Sequence, residues 1–308
     1  MPSTYPYFGI HTFCGAPHRS LEEFAGGIAV IGVPWDQGVG YRPGARFGPA
    51  AIRQVSSRYP IADGYYDIEC DRAFLQDAAV FDLGDVDVVA TQVERTFENV
   101  TATVRGVVEG GGRPLVLGGD HSITFPVVRA LDSGPLGILQ LDAHLDYADE
   151  VGEARHTSST VMRRVRELPH VQRLVTVGVR GLRTSARVLA DSRGHGNVVL
   201  SASAFDPRRV LDQLDFDLAW YVTVDLDVLD PGQAPGVSSP EPGGPTVAQV
   251  TALVQALGAN ASVVGCDVVE LNPLVDPTGI TAVAAANLAV RCTALLAKPA
   301  RDARPRVG

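Results

Sequence analysis

The chain has 308 residues, 45% hydrophobic and 20% charged, a composition that suits a globular protein of one large or two small domains. A net charge of −9 without any basic block argues against nucleic acid as the main partner. No apolar run approaches the ~20 residues of a membrane span, the N-terminus lacks the basic-then-apolar order of a secretory signal, and Cys14, Cys70, Cys266 and Cys292 form no CxxC pair, so a cytoplasmic protein with reduced thiols is expected. Residues 1–27 are broken by Pro2, Pro6, Gly9, Gly15, Pro17 and Gly26-Gly27 and read as an irregular N-terminal arm, on the surface or at a subunit contact. A buried strand follows over 28–33 (IAVIGV). It runs into a long Gly- and Pro-rich loop from Pro34, of the kind that carries function when ordered. A helix is expected near 49–57, with Pro49 in its first turn.

A short strand over 79–83 ends in Gly84-Asp85. Helical spacing of Val93, Phe97, Val100, Val104 and Val107-Val108 predicts a helix over 91–109, stopped by Gly110-Gly111-Gly112. The next strand, 114–117, ends in Gly118-Gly-Asp-His-Ser122, and 123–131 reads as a helix. The strand 136–141 (LGILQL) ends in Asp142-Ala-His144-Leu-Asp146. Further strands are expected at 173–177, 197–200, 218–224 and 263–269, with helices at 157–168, 246–257 and 278–296. Strands alternating with helices indicate an α/β fold with a mainly parallel sheet. No linker or repeat divides the chain, so 1–308 is read as one domain.

Polar clusters fall at corresponding strand ends: His121, then Asp142, His144 and Asp146, then Asp225 and Asp227, then Glu270. Side chains alternate along a strand, so Asp142, His144 and Asp146 share one face if the extended backbone persists, as do Asp225 and Asp227. Either a divalent cation sits among them, since carboxylate and neutral imidazole suit manganese, iron, nickel and zinc, or they are polar strand ends in water. In open α/β sheets ligands bind beyond the carboxyl ends of the strands. Two imidazoles and four carboxylates exceed what one metal takes; two cations about 3.5 Å apart, bridged by shared carboxylates, would use them all.

GGDHS at 118–122, DAHLD at 142–146 and DLDVLDP at 225–231 resemble the metal motifs of the ureohydrolase family, which includes arginase, agmatinase and formiminoglutamase. GVPWDQGVGYRPGARFGPAAIR at 32–53 and VVELNPLVDPTGIT at 268–281 extend the resemblance over nearly the whole chain after the arm. It implies a three-layer α/β/α fold with a parallel eight-stranded sheet and two Mn²⁺ per chain, nickel or cobalt being alternatives. His121, Asp142, Asp146 and Asp225 would hold one metal, and His144, Asp142, Asp225 and Asp227 the other, with Asp142 and Asp225 as bridges. The metals would share a hydroxide, oriented by Asp146, that attacks a guanidinium or amidine carbon. Glu270 would pair with the planar cation. Asp120 is either a partner behind His121 or a turn residue. Homo-oligomers of three or six subunits are usual in the family.

The segment Arg155-His-Thr-Ser-Ser-Thr-Val-Met-Arg163 departs from the family pattern. Its closing Thr-x-x-Arg puts Ser158 where guanidine-cleaving relatives carry a proton-shuttling histidine. His156, two residues earlier, is the candidate shuttle if the loop is rearranged, and otherwise a loop histidine. In Tyr147–Arg155, Asp149, Glu150 and Glu153 favour a cationic substrate tail, Arg155 favours a carboxylate tail, and exposed charges that touch nothing are the third reading. The leading expectation is an amidinohydrolase releasing urea from a small guanidino compound, agmatine first. The alternative is a formiminoglutamase releasing formamide and glutamate. A catalytically silent binding subunit would show lost metal ligands, and all six positions are intact.

Overall fold

The computed structural model describes residues 9–62, 64–68 and 71–297; the first eight residues and Cys70 lie outside them. Ten strands and eight helices follow one another there as β1 (Gly27–Val33), α1 (Gly48–Ser56), β2 (Tyr65–Asp67), β3 (Arg72–Phe74), β4 (Val80–Asp85), α2 (Val93–Glu109), β5 (Gly112–Gly118), α3 (Thr124–Arg129), β6 (Leu136–Leu141), α4 (Val161–Arg166), β7 (Val171–Val179), α5 (Ala186–Gly194), β8 (Val198–Ser201), α6 (Pro207–Leu211), β9 (Ala219–Asp225), α7 (Val247–Asn260), β10 (Ser262–Val269) and α8 (Ile280–Leu296). Eight strands form one all-parallel sheet in the order β4-β1-β5-β10-β9-β6-β7-β8, and β2 and β3 form a separate antiparallel hairpin.

Parallel strands covered on both faces read as continuous apolar runs. Every residue of β6 is buried accordingly. Alternation then divides the side chains between two cores. Leu139 and Leu141 of β6 pack with Val222 and Val224 of β9 against Val250 and Leu253 of α7 and the alanine-rich α8. Ile138 and, from β1, Ala29 and Ile31 pack on the opposite face with Phe97 and Val104 of α2, Val127 of α3 and Val165 of α4. The result is the three-layer α/β/α arrangement that the resemblance implied.

Within the expected N-terminal arm, the described part is laid along the sheet edge. Phe13 and Cys14 are buried, the Phe13 N–H donates to Asp82 (2.7 Å), and the Asp82 N–H donates to the Pro17 carbonyl (3.0 Å). The buried Asp82 also takes the Arg53 guanidinium through Nε (2.8 Å) and Nη2 (2.9 Å). This segment covers edge strand β4, whose backbone would otherwise present unpaired groups.

One consequence of the sheet order sets the site. β10 comes last among the strands yet lies between β5 and β9. The four central strands in space are therefore β5, β10, β9 and β6, and their carboxyl ends open on the same side.

Candidate metal centre

The exit of β5 is shaped by Gly119. A Cβ there would overlap the Trp35 carbonyl oxygen, so only glycine lets the turn pass beside the β1 exit. Asp120 then caps the turn. Its carboxylate accepts from the Ser122 N–H (2.9 Å) and from the Gly38 N–H (2.6 Å), which makes it a clamp on the loop after β1. That places Asp120 as a turn residue rather than a partner of the His121 ring. His121 follows, fully buried, at the start of a single 3₁₀ turn, His121–Ile123, that leads into α3.

The β6 exit brings Asp142, His144 and Asp146 together by a different route from extended alternation. The strand ends at Leu141, and the chain turns. Asp142 Oδ1 accepts from the His144 N–H (2.6 Å), and Asp146 lies at φ +47°. A left-handed backbone at a non-glycine residue is uncommon and strained, and such residues cluster at functional sites. Asp225 and Asp227 likewise converge through a turn. Asp225 caps the 3₁₀ turn after β9 by accepting from the Asp227 N–H (2.9 Å). Glu270, just past β10, is the other carboxylate of these exits in the left-handed region, at φ +66°.

These four exits assemble two donor sets. His121, Asp142, Asp146 and Asp225 offer ligand atoms within 4.8 Å of one another, and so do Asp142, His144 and Asp227. His121 Nδ1 lies 3.0 Å from Asp142 Oδ2, 3.2 Å from Asp225 Oδ2 and 3.3 Å from Asp146 Oδ2. His144 Nδ1 lies 2.9 Å from Asp227 Oδ2 and 3.5 Å from Asp142 Oδ1. Asp142 belongs to both sets. Asp225, expected to bridge, is grouped with the first set, and its other oxygen accepts from the Asp227 N–H.

Electrostatics fit a cation here. Buried polar atoms normally find hydrogen-bond partners. His121 Nδ1 is buried among three carboxylates and yet forms no hydrogen bond of acceptable geometry with any of them. The atoms converge on the space between them, not on each other. Burial alone would lower both imidazoles, but the surrounding carboxylates outweigh it, raising His121 well above its ordinary value and His144 to about 12. Burial, then the charges of Asp227 and Asp142, push Asp225 far up; burial, then Asp142, push Asp146 to about 6. A pair of divalent ions would relieve this crowding of like charges, and carboxylate and imidazole are donors that such ions accept.

Beside the cluster lies a cavity of about 150 Å³, lined by His144, Asp146, Ser158, Arg183, Asp225, Asp227 and Glu270 among others. Glu270 Oε1 accepts from the His121 backbone N–H (2.9 Å) and from Ser158 Oγ (3.0 Å), while its buried Oε2 has no partner. Burial first, then the charge of Asp120, raise this carboxyl to about 8. A larger groove of about 830 Å³ between the β2–β3 hairpin, α7 and α8 carries only the Asp67–Arg291 pair as charge and offers neither imidazole nor a ligand set.

His156 is not brought to this cavity. Its ring lies 5.4 Å from the Phe97 ring and 5.5 Å, stacked, from the Phe125 ring, and burial lowers its basicity. Of the segment 155–163, Ser158 and Ser159 line the cavity, and Ser158 Oγ reaches Glu270. Two of the loop charges are engaged elsewhere as well: Asp149 pairs with Arg164 (2.6 Å), and Arg155 lies 3.5 Å from Asp149 and 3.4 Å from Glu167. Arg183 on the cavity wall was not singled out from the sequence; its place three residues past the GVR at 178–180, where β7 ends, was the only available signal.

The fold and these donors define an α/β protein with a candidate binuclear metal centre at the carboxyl ends of a parallel sheet. The chain belongs to the arginase family, which matches residues 26–294. It is 36% identical to a mitochondrial guanidino acid hydrolase of Homo sapiens, over 84% of this chain and 75% of that one. With an agmatinase of Bacillus anthracis it shares 33% identity over 87% of this chain and 90% of the other. The solved structure of proclavaminate amidinohydrolase from Streptomyces clavuligerus superposes with a TM-score of 0.84 at 30% identity, covering 95% of this chain and 98% of that one.

Proposed function

We propose that this arginase-family hydrolase cleaves the amidino carbon–nitrogen bond of a small guanidino compound and releases urea. One observation carries the reading: a buried glutamate with an unpartnered carboxylate oxygen lines a cavity shared with both donor sets. His121, Asp142, Asp146 and Asp225 would hold one ion and Asp142, His144 and Asp227 the other; two Mn²⁺ suit these oxygen-rich sets. Bound there, two divalent ions lower the pKa of water and supply a nucleophile near neutral pH.

The chain's own residues do the rest. Glu270 binds the planar cation, because a carboxylate matches the guanidinium fork. Its Oε1 is fixed by the His121 N–H and Ser158 Oγ, which leaves Oε2 for substrate. A guanidinium beside it restores the ionised form that burial disfavours. Asp146, held at its left-handed turn, orients the attacking water. With His156 packed against Phe97 and Phe125, Ser158 and water are the carriers of the proton to the leaving amine. Agmatine carries the required head group. Hydrolysis of formiminoglutamate to formamide and glutamate is the second reading, favoured by a serine at the position where guanidine-cleaving relatives have histidine.

Glu270→Gln tests the assignment. It keeps the shape and loses the charge. Metal content should be unchanged while kcat/KM for urea release falls by about 30-fold or more, the equivalent of ~2 kcal/mol for removing one side of a desolvated charged pair. Formamide is measured in parallel with urea. Unchanged turnover, or metal loss as the main effect, would remove Glu270 from the substrate site.

A further inference from the structure

The head of the substrate accounts for one end of the cavity; the other end has its own chemistry. Apart from the metal-ligand residues and Glu270, Arg183 is the one charged side chain on the cavity wall. The rest of that wall is hydroxyl-rich, with Ser158, Ser159, Thr184, Ser185 and Ser239. The acidic residues of the 147–155 loop are not part of it.

Among the described residues no carboxylate lies within ion-pair distance of Arg183; its side chain contacts His144 Nε2, 3.4 Å from Nη1. That contact does not hold the guanidinium in the working enzyme. His144 Nδ1 faces Asp227 and Asp142, on the side where a cation belongs. A ring that ligates through Nδ1 carries its proton on Nε2. An imidazole N–H and a guanidinium are both donors, so they cannot bond to each other. The natural acceptor for Nε2–H is Glu241 Oε1, 3.8 Å away and not part of the cavity wall. Gly181, at φ +72°, keeps that place open, since a Cβ there would overlap the Glu241 carboxylate. Arg183, an exposed residue of the cavity lining, is thereby left without a carboxylate partner among the described residues.

We propose that the substrate ends in a carboxylate and that Arg183 binds it. This rests on the amidinohydrolase reading and names its substrate class: ω-guanidino acids in place of agmatine. A guanidinium meets a carboxylate through two parallel N–H···O bonds, and the hydroxyls of Thr184 and Ser185 beside it are further donors. The ammonium tail of agmatine would instead bring a like charge up to Arg183, which selects against it.

The test uses the Mn²⁺-loaded full chain and four compounds with a common head: 3-guanidinopropionate, 4-guanidinobutyrate, agmatine and n-butylguanidine, whose tail is uncharged. The wild type should release urea from one of the two acids with a kcat/KM at least tenfold above that for agmatine. Arg183→Gln should lower the ratio of kcat/KM for the preferred acid over n-butylguanidine by roughly five- to tenfold, chiefly through KM, the size expected of a bidentate pair at a cavity mouth. Arg183→Glu should move the preference towards agmatine. Calorimetric titration of the preferred acid into the metal-free chain, which does not turn it over, should show binding weakened to the same degree in Arg183→Gln. Urea release with agmatine ahead of both acids, or an unchanged ratio in Arg183→Gln, overturns the tail assignment and leaves the amidinohydrolase standing. Release of urea from none of the four overturns both.

Discussion

Thr223 sits on β9 directly behind His121, and its hydroxyl decides which ring nitrogen is free. His121 Nε2 lies 2.9 Å from Thr223 Oγ1, so with the proton on Nε2 the lone pair of Nδ1 faces the three carboxylates. Behind Thr223, the buried Asp267 takes Thr124 Oγ1 (2.7 Å) and the Tyr221 hydroxyl (2.8 Å), closing a polar network inside an apolar sheet. Thr223→Val keeps the shape and removes the acceptor. It should weaken the His121 metal by about 10- to 100-fold and the His144 metal much less. Metal titration by calorimetry reads the two sites separately; equal weakening of both, or no change, would count against this role. None of that network was visible in the sequence, where Thr223 is one residue of an apolar strand. The aspartate and histidine motifs were legible because they sit at strand ends in a fixed order. Arg183 was not, because a single arginine in an arginine-rich chain has no pattern around it. His156 drew notice through its neighbourhood in the chain, but its neighbours in space are Phe97 and Phe125.

At the scale of elements, the loop between β1 and α1 is a wall rather than a flap. Buried Asp36 accepts from the Gly44 N–H (2.8 Å) and from Arg46 Nε (2.6 Å). Asn272 donates to the carbonyls of Arg42 (2.9 Å) and Pro43 (3.3 Å), and the Gly38 carbonyl accepts from the Ser158 N–H (3.1 Å). The loop is thus tied to the exits of β5 and β10 and to the Ser158 turn. Asp36→Ala should speed hydrogen exchange at Gly44 and Arg46 more than tenfold while amides of β6 keep their protection, since exchange there follows local opening. Equal acceleration in β6 would point to global destabilisation instead. Sequence patterning located all eight strands of the main sheet, because strands buried on both faces are short apolar runs. It missed α5, which buries only Ser192 and so has no apolar stripe, the five-residue α6, and the β2–β3 hairpin, with three residues per strand. It also placed Asp142, His144 and Asp146 together on the assumption of an extended chain. The turn after Leu141 and the left-handed Asp146 achieve the convergence, and alternation alone cannot reveal either.

For the whole molecule, the sheet order concentrates buried charge at one place, and stability must then depend on metal and protons together. Without metal, the native state holds protons that the unfolded chain does not. His121 and His144 are raised, His144 to about 12, and among the acids Asp146 and Asp120 are raised to about 6 and Glu270 to about 8. A group whose native pKa lies above its unfolded value stabilises the fold below the unfolded pKa and loses that contribution as pH rises through the native one. The apoprotein should therefore become less stable from about pH 6 to about pH 8, the range in which Asp146, Asp120 and Glu270 lose their protons while an unfolded imidazole has lost its own. Metal must displace the imidazole protons, so its apparent affinity rises over the same range. A ligand present at 100 times its Kd adds ~2.7 kcal/mol to the folded state. The gap in Tm between Mn²⁺-loaded and chelator-treated protein should accordingly widen from about pH 6 to about pH 8, and metal binding should release protons, seen as a dependence of the calorimetric heat on the buffer's ionisation enthalpy. A gap that narrows with pH, or binding without proton release, would show that the buried cluster is not the site the metals occupy.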